Sequence, residues 1–446
     1  MGRWSVPESV AERLDAGRSV PVPRTLLWVG FALVHGMLWW LAFTSSGWPL
    51  GDVEVVYLGW ATDAASGVDV AGITTSFVYP VLALLPILAS LAFGPDLYAA
   101  TWLGLGTLLN AGAFALLIGR GRNRRGQVAA AWWLGFLLLL GPIALARIDA
   151  VTVPLAIAAL LLVGTRPVWG TVLLTLAAWV KIWPVALAIA LFVVSKDRWR
   201  VLAAAAGTSL AIVLVALGLG SRSNVLSFVS EQTNRGIQIE SPVAGIWLWQ
   251  AALGLPGSYL YFDRQIFTFQ IIGTGTNVAI AAMTPLLALC VVAVLLLAWH
   301  TVRAGAEPAA LFPPLALALV LILIVVNKVG SPQFTTWLAA PVILGLLVRG
   351  RAWRFPAVLG LVIAALTQVI YPHLYEFLLV ADPVMVLVLT VRNALEGVLL
   401  GWTVWQIRMC GTPPERAGPA RALPAPRLFL TLPPPAPLPP TPDQKE

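Results

Sequence analysis

Charge is what this sequence has least of. Only 11% of its 446 residues are Asp, Glu, Lys or Arg, against roughly 25% in soluble domains, while 59% are hydrophobic. With a mean hydropathy of +0.86, that balance excludes a water-soluble enzyme. Cysteine and histidine are scarce as well. Cys290, inside an apolar run, and Cys410, just after one, form neither a disulfide framework nor a CxxC metal pair. His35, His300 and His373 lie far apart in sequence and give no HxxxH-type spacing, so a metal site built from His and Cys is not expected. No glycine-rich nucleotide-binding motif and no inverted internal repeat of the transporter kind is found. The basic excess, 28 Lys and Arg against 20 Asp and Glu, suggests cytoplasmic loops of a membrane chain rather than nucleic-acid binding.

What is present is a long series of apolar runs. A membrane-crossing helix takes about 20 apolar residues, somewhat fewer when neighbouring helices bury it. Twelve segments qualify: 25–44, 97–118, 128–146, 150–164, 168–180, 182–195, 201–219, 277–298, 308–327, 333–348, 355–371 and 383–407. The first lacks a cleavage signal and is read as a retained helix. The expected fold is an all-α polytopic membrane protein. A cytoplasmic segment 1–24, with Arg3, Arg13, Arg18 and Arg24, precedes the transmembrane domain 25–408. A disordered, Pro-rich cytoplasmic tail 409–446 follows it.

Two segments need a decision. Tyr79 to Phe93 is apolar but short, and it carries Pro80 and Pro86. If it crossed, Arg120, Arg122, Arg124 and Arg125 would lie outside, against the strongest basic signal in the chain. It is therefore expected in the external interface. By the same argument, 168–195 divides at Lys181-Ile182-Trp183-Pro184 into two short helices. This topology puts 21 of the 28 Lys and Arg in the cytoplasm and six outside, with Arg392 inside the last span.

The remaining polar clusters then share the external side. They are Gly51 to Tyr57, Arg147-Ile148-Asp149, Lys181 to Pro184, Glu231 to Ser241, Lys328 to Gln333 and Tyr371-Pro372-His373. Such convergence predicts a cavity at the bilayer surface. Its cations, Arg147, Lys181, Arg235 and Lys328, suit an anion, and phosphate on a lipid is the natural one. Asp149 is expected to pair with Arg147, which leaves Asp52 and Glu54 as candidate general bases. Arg392 and Glu396 are spaced for an i, i+4 ion pair, with contact to a lipid phosphate as the alternative role of Arg392.

The strings GDVEVVYLGW and FVYPVLALLP resemble the first external loop of the GT-C glycosyltransferases, in which an Asp and two interfacial helices follow the first span. In order, ARID, VKIWP, RGIQIES, KVGSPQFTTW and VRNAL look like the motifs of glycosyltransferase family 87, over about residues 24 to 408. The resemblance implies a GT-C-like fold of about 12 transmembrane helices and a polyprenol-phosphate-mannose-dependent mannosyltransferase of the plasma membrane. Such an enzyme moves a sugar, with inversion, from a polyprenyl-phosphate donor to a glycolipid or glycan hydroxyl on the extracytoplasmic side. Asp52 would be the base, and Tyr79 and Pro80 would sit on the second interfacial helix. Arg147, Asp149, Lys181, Arg235, Gln238, Glu240, Lys328 and Gln333 would line the cavity. The chain departs from the pattern at Val81, where many relatives have a second proline, and at Glu54, a second carboxylate beside the base. No cofactor is implied, since the sugar lipid is a substrate; a divalent metal at Asp52 and Glu54 stays open. The competing reading is a transporter or flippase of an anionic lipid-linked substrate.

Overall fold

The structure is a computed structural model that describes residues 5–6, 22–119, 123–233, 235–264, 266–411 and 425–427. Arg3, Arg13, Arg18, Arg120 and Arg122 lie outside the described residues. So does the Pro-rich tail after Gly411, apart from a short antiparallel pairing of β1 (Ser5–Val6) with β5 (Ala425–Arg427).

Every one of the twelve apolar segments forms a helix. After α1 (Arg24–Thr44) come two short helices, α2 (Leu58–Ser66) and α3 (Leu84–Ala89). Then follow α4 (Tyr98–Ile118), α5 (Arg124–Leu140), α6 (Asp149–Val163), α7 (Pro167–Val180), α8 (Val185–Val194) and α9 (Arg198–Gly218). The chain closes with α10 (Thr276–Arg303), α11 (Pro308–Val325), α12 (Ala339–Arg349), α13 (Arg354–Gln368) and α14 (Pro383–Cys410). Eight helical runs among the described residues are long and apolar enough to cross a membrane, one of them joining α12 and α13 across a kink; α6, α7 and α8 are shorter. This is an all-α polytopic membrane protein.

Local chemistry sets the boundaries. Asn123 caps α5 by accepting the Arg125 and Gly126 N–H groups, and Asp382 caps α14 in the same way. Proline opens α7, α11 and α14, where its missing N–H costs nothing. At Lys181 the backbone is extended, and Pro184 follows before α8 begins, so the expected break is present. The segment after Tyr79 is a 3-10 turn, Val81–Ala83, leading into six-residue α3, and forms no spanning helix.

Burial separates the helices by role. Helix α11 is 72% buried over its most apolar window, whereas α9 and α10 are only 11% buried and expose apolar side chains such as Leu210, Leu214 and Leu289 outward. An outward apolar surface with its backbone satisfied internally is what lipid requires. One element lies outside the all-α expectation. Between α9 and α10 a three-stranded antiparallel sheet forms, ordered β2 (Ile237–Gln238), β4 (Thr268–Ile272), β3 (Tyr259–Asp263). Its β3–β4 hairpin runs in register from Tyr259 opposite Ile272 to Asp263 opposite Thr268.

Candidate active site

The loops after α1, α5, α7, α9, α11 and α13 meet at one end of the bundle. Glycine permits two of the closest approaches. A Cβ on Gly330 would collide with the Ser241 amide, and one on Gly47 with the Pro372 backbone. The first contact seats the Lys328 loop on the Glu240 loop, where the Gln238 N–H also donates to the Lys328 carbonyl at 2.9 Å.

Asp52 begins a π-helical turn, Asp52–Tyr57, which continues into α2. Turns with i→i+5 hydrogen bonds are rare and frequently mark functional sites. Tyr57, five residues on, is buried; its hydroxyl accepts the Ile148 N–H at 3.2 Å and lies 3.4 Å from the Tyr79 hydroxyl. Burial chiefly, with neighbouring Tyr79 and Asp52, pushes the Tyr57 phenol well above its ordinary range, so it stays neutral.

The Arg147 Nε stands 3.0 Å from Asp52 Oδ2. Its other donors are occupied by the chain itself: Nη1 donates to the Pro49 and Ala146 carbonyls, and Nη2 to the Tyr371 hydroxyl at 3.2 Å. Burial works against the Arg147 charge, but Asp52, Tyr371 and Tyr57 together outweigh it and raise its pKa. The expected Arg147–Asp149 pair therefore does not form. Residues two apart do not face each other at a helix start, and each finds a partner across the bundle instead.

The partner of Asp149 is Lys181. Its Oδ2 accepts from Lys181 Nζ at 2.9 Å, its Oδ1 accepts from Trp337 Nε1 at 2.6 Å, and the side chain is wholly buried. Lys181 also lies over the rings of Phe334, Tyr79 and Trp337, at 5.4, 5.5 and 5.9 Å. Trp183 stacks on Trp337 with centroids 5.7 Å apart and donates to the Thr152 hydroxyl at 2.9 Å. An aromatic box thus encloses the second ion pair.

Glu54 turns elsewhere and accepts from Trp48 Nε1 at 2.6 Å. Of the two candidate bases, only Asp52 reaches Arg147. Among the described residues no group of three or more His, Cys, Asp or Glu side chains gathers.

A third cluster lies deeper. Arg392 stands 3.4 Å from Glu396 and 3.7 Å from Glu240, all three buried, so the i, i+4 pair gains a second carboxylate. Burial pushes the Glu240 carboxyl up to about 7, against the opposing pull of Arg392. Glu240 is hydrogen-bonded to Tyr375, whose ring meets Tyr371 edge-on at 5.1 Å, so this cluster connects back to Arg147. Lys328 is buried, and that burial lowers its pKa below the ordinary lysine value. Gln333 accepts from the Ser331 hydroxyl. Arg235 is not brought into contact with the other predicted site residues, and its Nε is buried without a hydrogen-bond partner among the described residues.

Sequence reading missed Tyr57, Trp337 and Tyr375 as members of this network, and it named Tyr371 only as part of a polar loop. The model of the family described as Glycosyltransferase family 87 matches residues 77–310, more than half of the chain. That range includes Tyr79, Arg147, Asp149, Lys181 and Glu240, and excludes Asp52, Lys328, Gln333 and Arg392. No curated protein and no solved structure matches the chain.

Proposed function

Because the chain belongs to glycosyltransferase family 87 and is a membrane glycosyltransferase, we propose that it transfers a sugar from a polyprenyl-phosphate donor to a hydroxyl of a glycolipid or glycan. Mannose is the sugar that the resemblance implies, and the extracytoplasmic side of the plasma membrane is the proposed location. The observation that carries this reading is Asp52: a carboxylate fixed by Arg147 at 3.0 Å yet about one-third exposed, 34%.

In the proposed reaction the acceptor hydroxyl gives its proton to Asp52 while its oxygen bonds to the anomeric carbon. The bond from that carbon to the phosphate oxygen breaks, its electron pair leaves with the polyprenyl phosphate, and the configuration inverts. In this reading Lys328, with Arg235 and Lys181 as further cations, stabilises the departing phosphate. Arg147 acts on Asp52, since nearly all of its donors are taken by the chain. Glu240, Gln238 and Gln333 are the further residues assigned to the substrate side in this reading. The buried state of Lys328 supports its role, because a cation away from water attracts an anion more strongly.

The test is to incubate the purified protein with a panel of polyprenyl-phosphate sugars and membrane glycolipid acceptors. Transfer from one donor, with inversion seen by NMR of the product, is expected. Folded protein that transfers from none of them overturns the reading, and lipid movement across vesicles without transfer would favour the transporter instead.

A further inference from the structure

The opposite end of the bundle holds a second set of cations that the proposed reaction does not use. There the short helix α8 ends at Val194, and the chain turns through Ser195 to Asp197 into α9. Arg198, at the start of α9, places its guanidinium 5.4 Å from the ring centre of Trp299 near the end of α10. Arg303, one turn beyond Trp299, places its own guanidinium 5.1 Å from the same ring. Two cations from different helices therefore share one indole and can be no more than about 10.5 Å apart, the sum of those two distances.

Among the described residues no carboxylate pairs with them. Asp197, the nearest in sequence, pairs with Arg200 at 3.7 Å, and among the described residues neither Arg198 nor Arg303 forms an ion pair. Like charges held together without a counter-ion repel, and the arrangement persists best when an anion sits between them. The surface running away from the cations fits an anion that carries acyl chains. On α10, Val292, Leu296 and Trp299 succeed one another at helical spacing, 51%, 64% and 38% exposed, and lead up to Arg303. On α9, Leu202, one turn after Arg198, is 45% exposed. Both helices are 11% buried over their most apolar windows, so these stripes face lipid.

We propose that Arg198, Trp299 and Arg303 form a headgroup site for an anionic phospholipid at the membrane face opposite Asp52. The phosphate lies between the guanidiniums, the glycerol rests against the indole, and the acyl chains follow the two apolar stripes. Basic pockets between membrane helices recognise lipid phosphates in this way. The occupant joins α9 to α10, which flank the shorter α8. This inference is independent of the sugar chemistry at the other end.

The experiment uses the full chain purified in detergent. Native mass spectrometry and thermal unfolding are recorded with phosphatidylglycerol, with phosphatidylcholine and with soluble glycerol phosphate. Wild-type protein should retain phosphatidylglycerol at least about tenfold better than phosphatidylcholine, and glycerol phosphate should not raise Tm. The double variant R198Q/R303Q should bind phosphatidylglycerol about thirtyfold more weakly, and Trp299→Leu, which keeps both charges, should weaken it less. Equal retention of the two lipids by wild-type protein, which requires no variant, overturns the proposal. So does undiminished binding by a folded R198Q/R303Q, or protection by glycerol phosphate equal to that by the lipid.

Discussion

Asp52 and Asp149 lie at the same end of the bundle, and each is held by one cation. Asp52 meets Arg147 at 3.0 Å, and Asp149 meets Lys181 at 2.9 Å. Their surroundings differ. Asp149 is 0% exposed, with one oxygen on Lys181 and the other on Trp337, so neither oxygen is open to solvent. Asp52 is 34% exposed and begins a π turn beside two tyrosines. Similar ion pairs thus differ in access: the Asp149 pair is closed to solvent, and the Asp52 pair is open, as the proposed proton transfer requires. Ion-pair geometry alone does not separate them; access to the remaining lone pairs does.

The comparison is broken most strongly at the closed pair. Asp149→Asn leaves Lys181 enclosed by aromatic rings without its anion and should cost about 3–5 kcal/mol of stability, read as a lower Tm in detergent. Asp52→Asn, at the partly exposed pair, should cost about 1 kcal/mol or less by the same measurement. Equal losses would mean that both pairs are structural. Replacing both members of the closed pair, as D149L/K181M, should recover much of the stability lost in D149N, because no buried charge is then left alone.

Smaller effects test the frame around the open pair. Gly330→Ala drives a methyl group into the Ser241 backbone and should lower stability by about 1–3 kcal/mol while displacing Lys328. Glu240 tests the buried link to Arg392. Its carboxyl is raised from the ordinary 4.5 to about 7, so the folded state holds a proton that the unfolded state releases. Stability contributed this way is present below about 4.5 and is lost as pH rises through about 7. Wild-type Tm should therefore fall between pH 5 and 7, and Glu240→Gln should flatten that slope. Glu54→Gln should change turnover by less than about threefold, since its contact is with Trp48 at the surface.

Hydropathy made the helices legible, because lipid leaves the backbone no alternative to satisfying itself. The break at Lys181 was readable from a charge and a proline inside one apolar run. The arrangement of partners was not. Arg147 and Asp149 are two positions apart in the chain, and only the packed bundle reveals that each is claimed by a distant residue, Arg147 by Asp52 more than ninety positions away and Asp149 by Lys181 more than thirty away. Tyr57 was legible only as the end of a polar loop, because a π turn aligns residues five apart, which a 3.6-residue period does not suggest. Trp337 and Tyr375 were hidden among aromatics that a membrane sequence uses for its interfacial belts, and Tyr371 was legible only as part of a polar loop. The β3–β4 hairpin did leave a signal in YLYFDRQIFTFQII, two aromatic-rich runs around a short connection, which an all-helical expectation passed over.

The central claim concerns Asp52, and turnover tests it most directly. With the donor that the wild-type protein uses, Asp52→Asn should lower the transfer rate by about 10²–10⁴-fold while donor binding and Tm stay near wild type. Transfer within a few-fold of wild type by a folded Asp52→Asn variant would contradict the account.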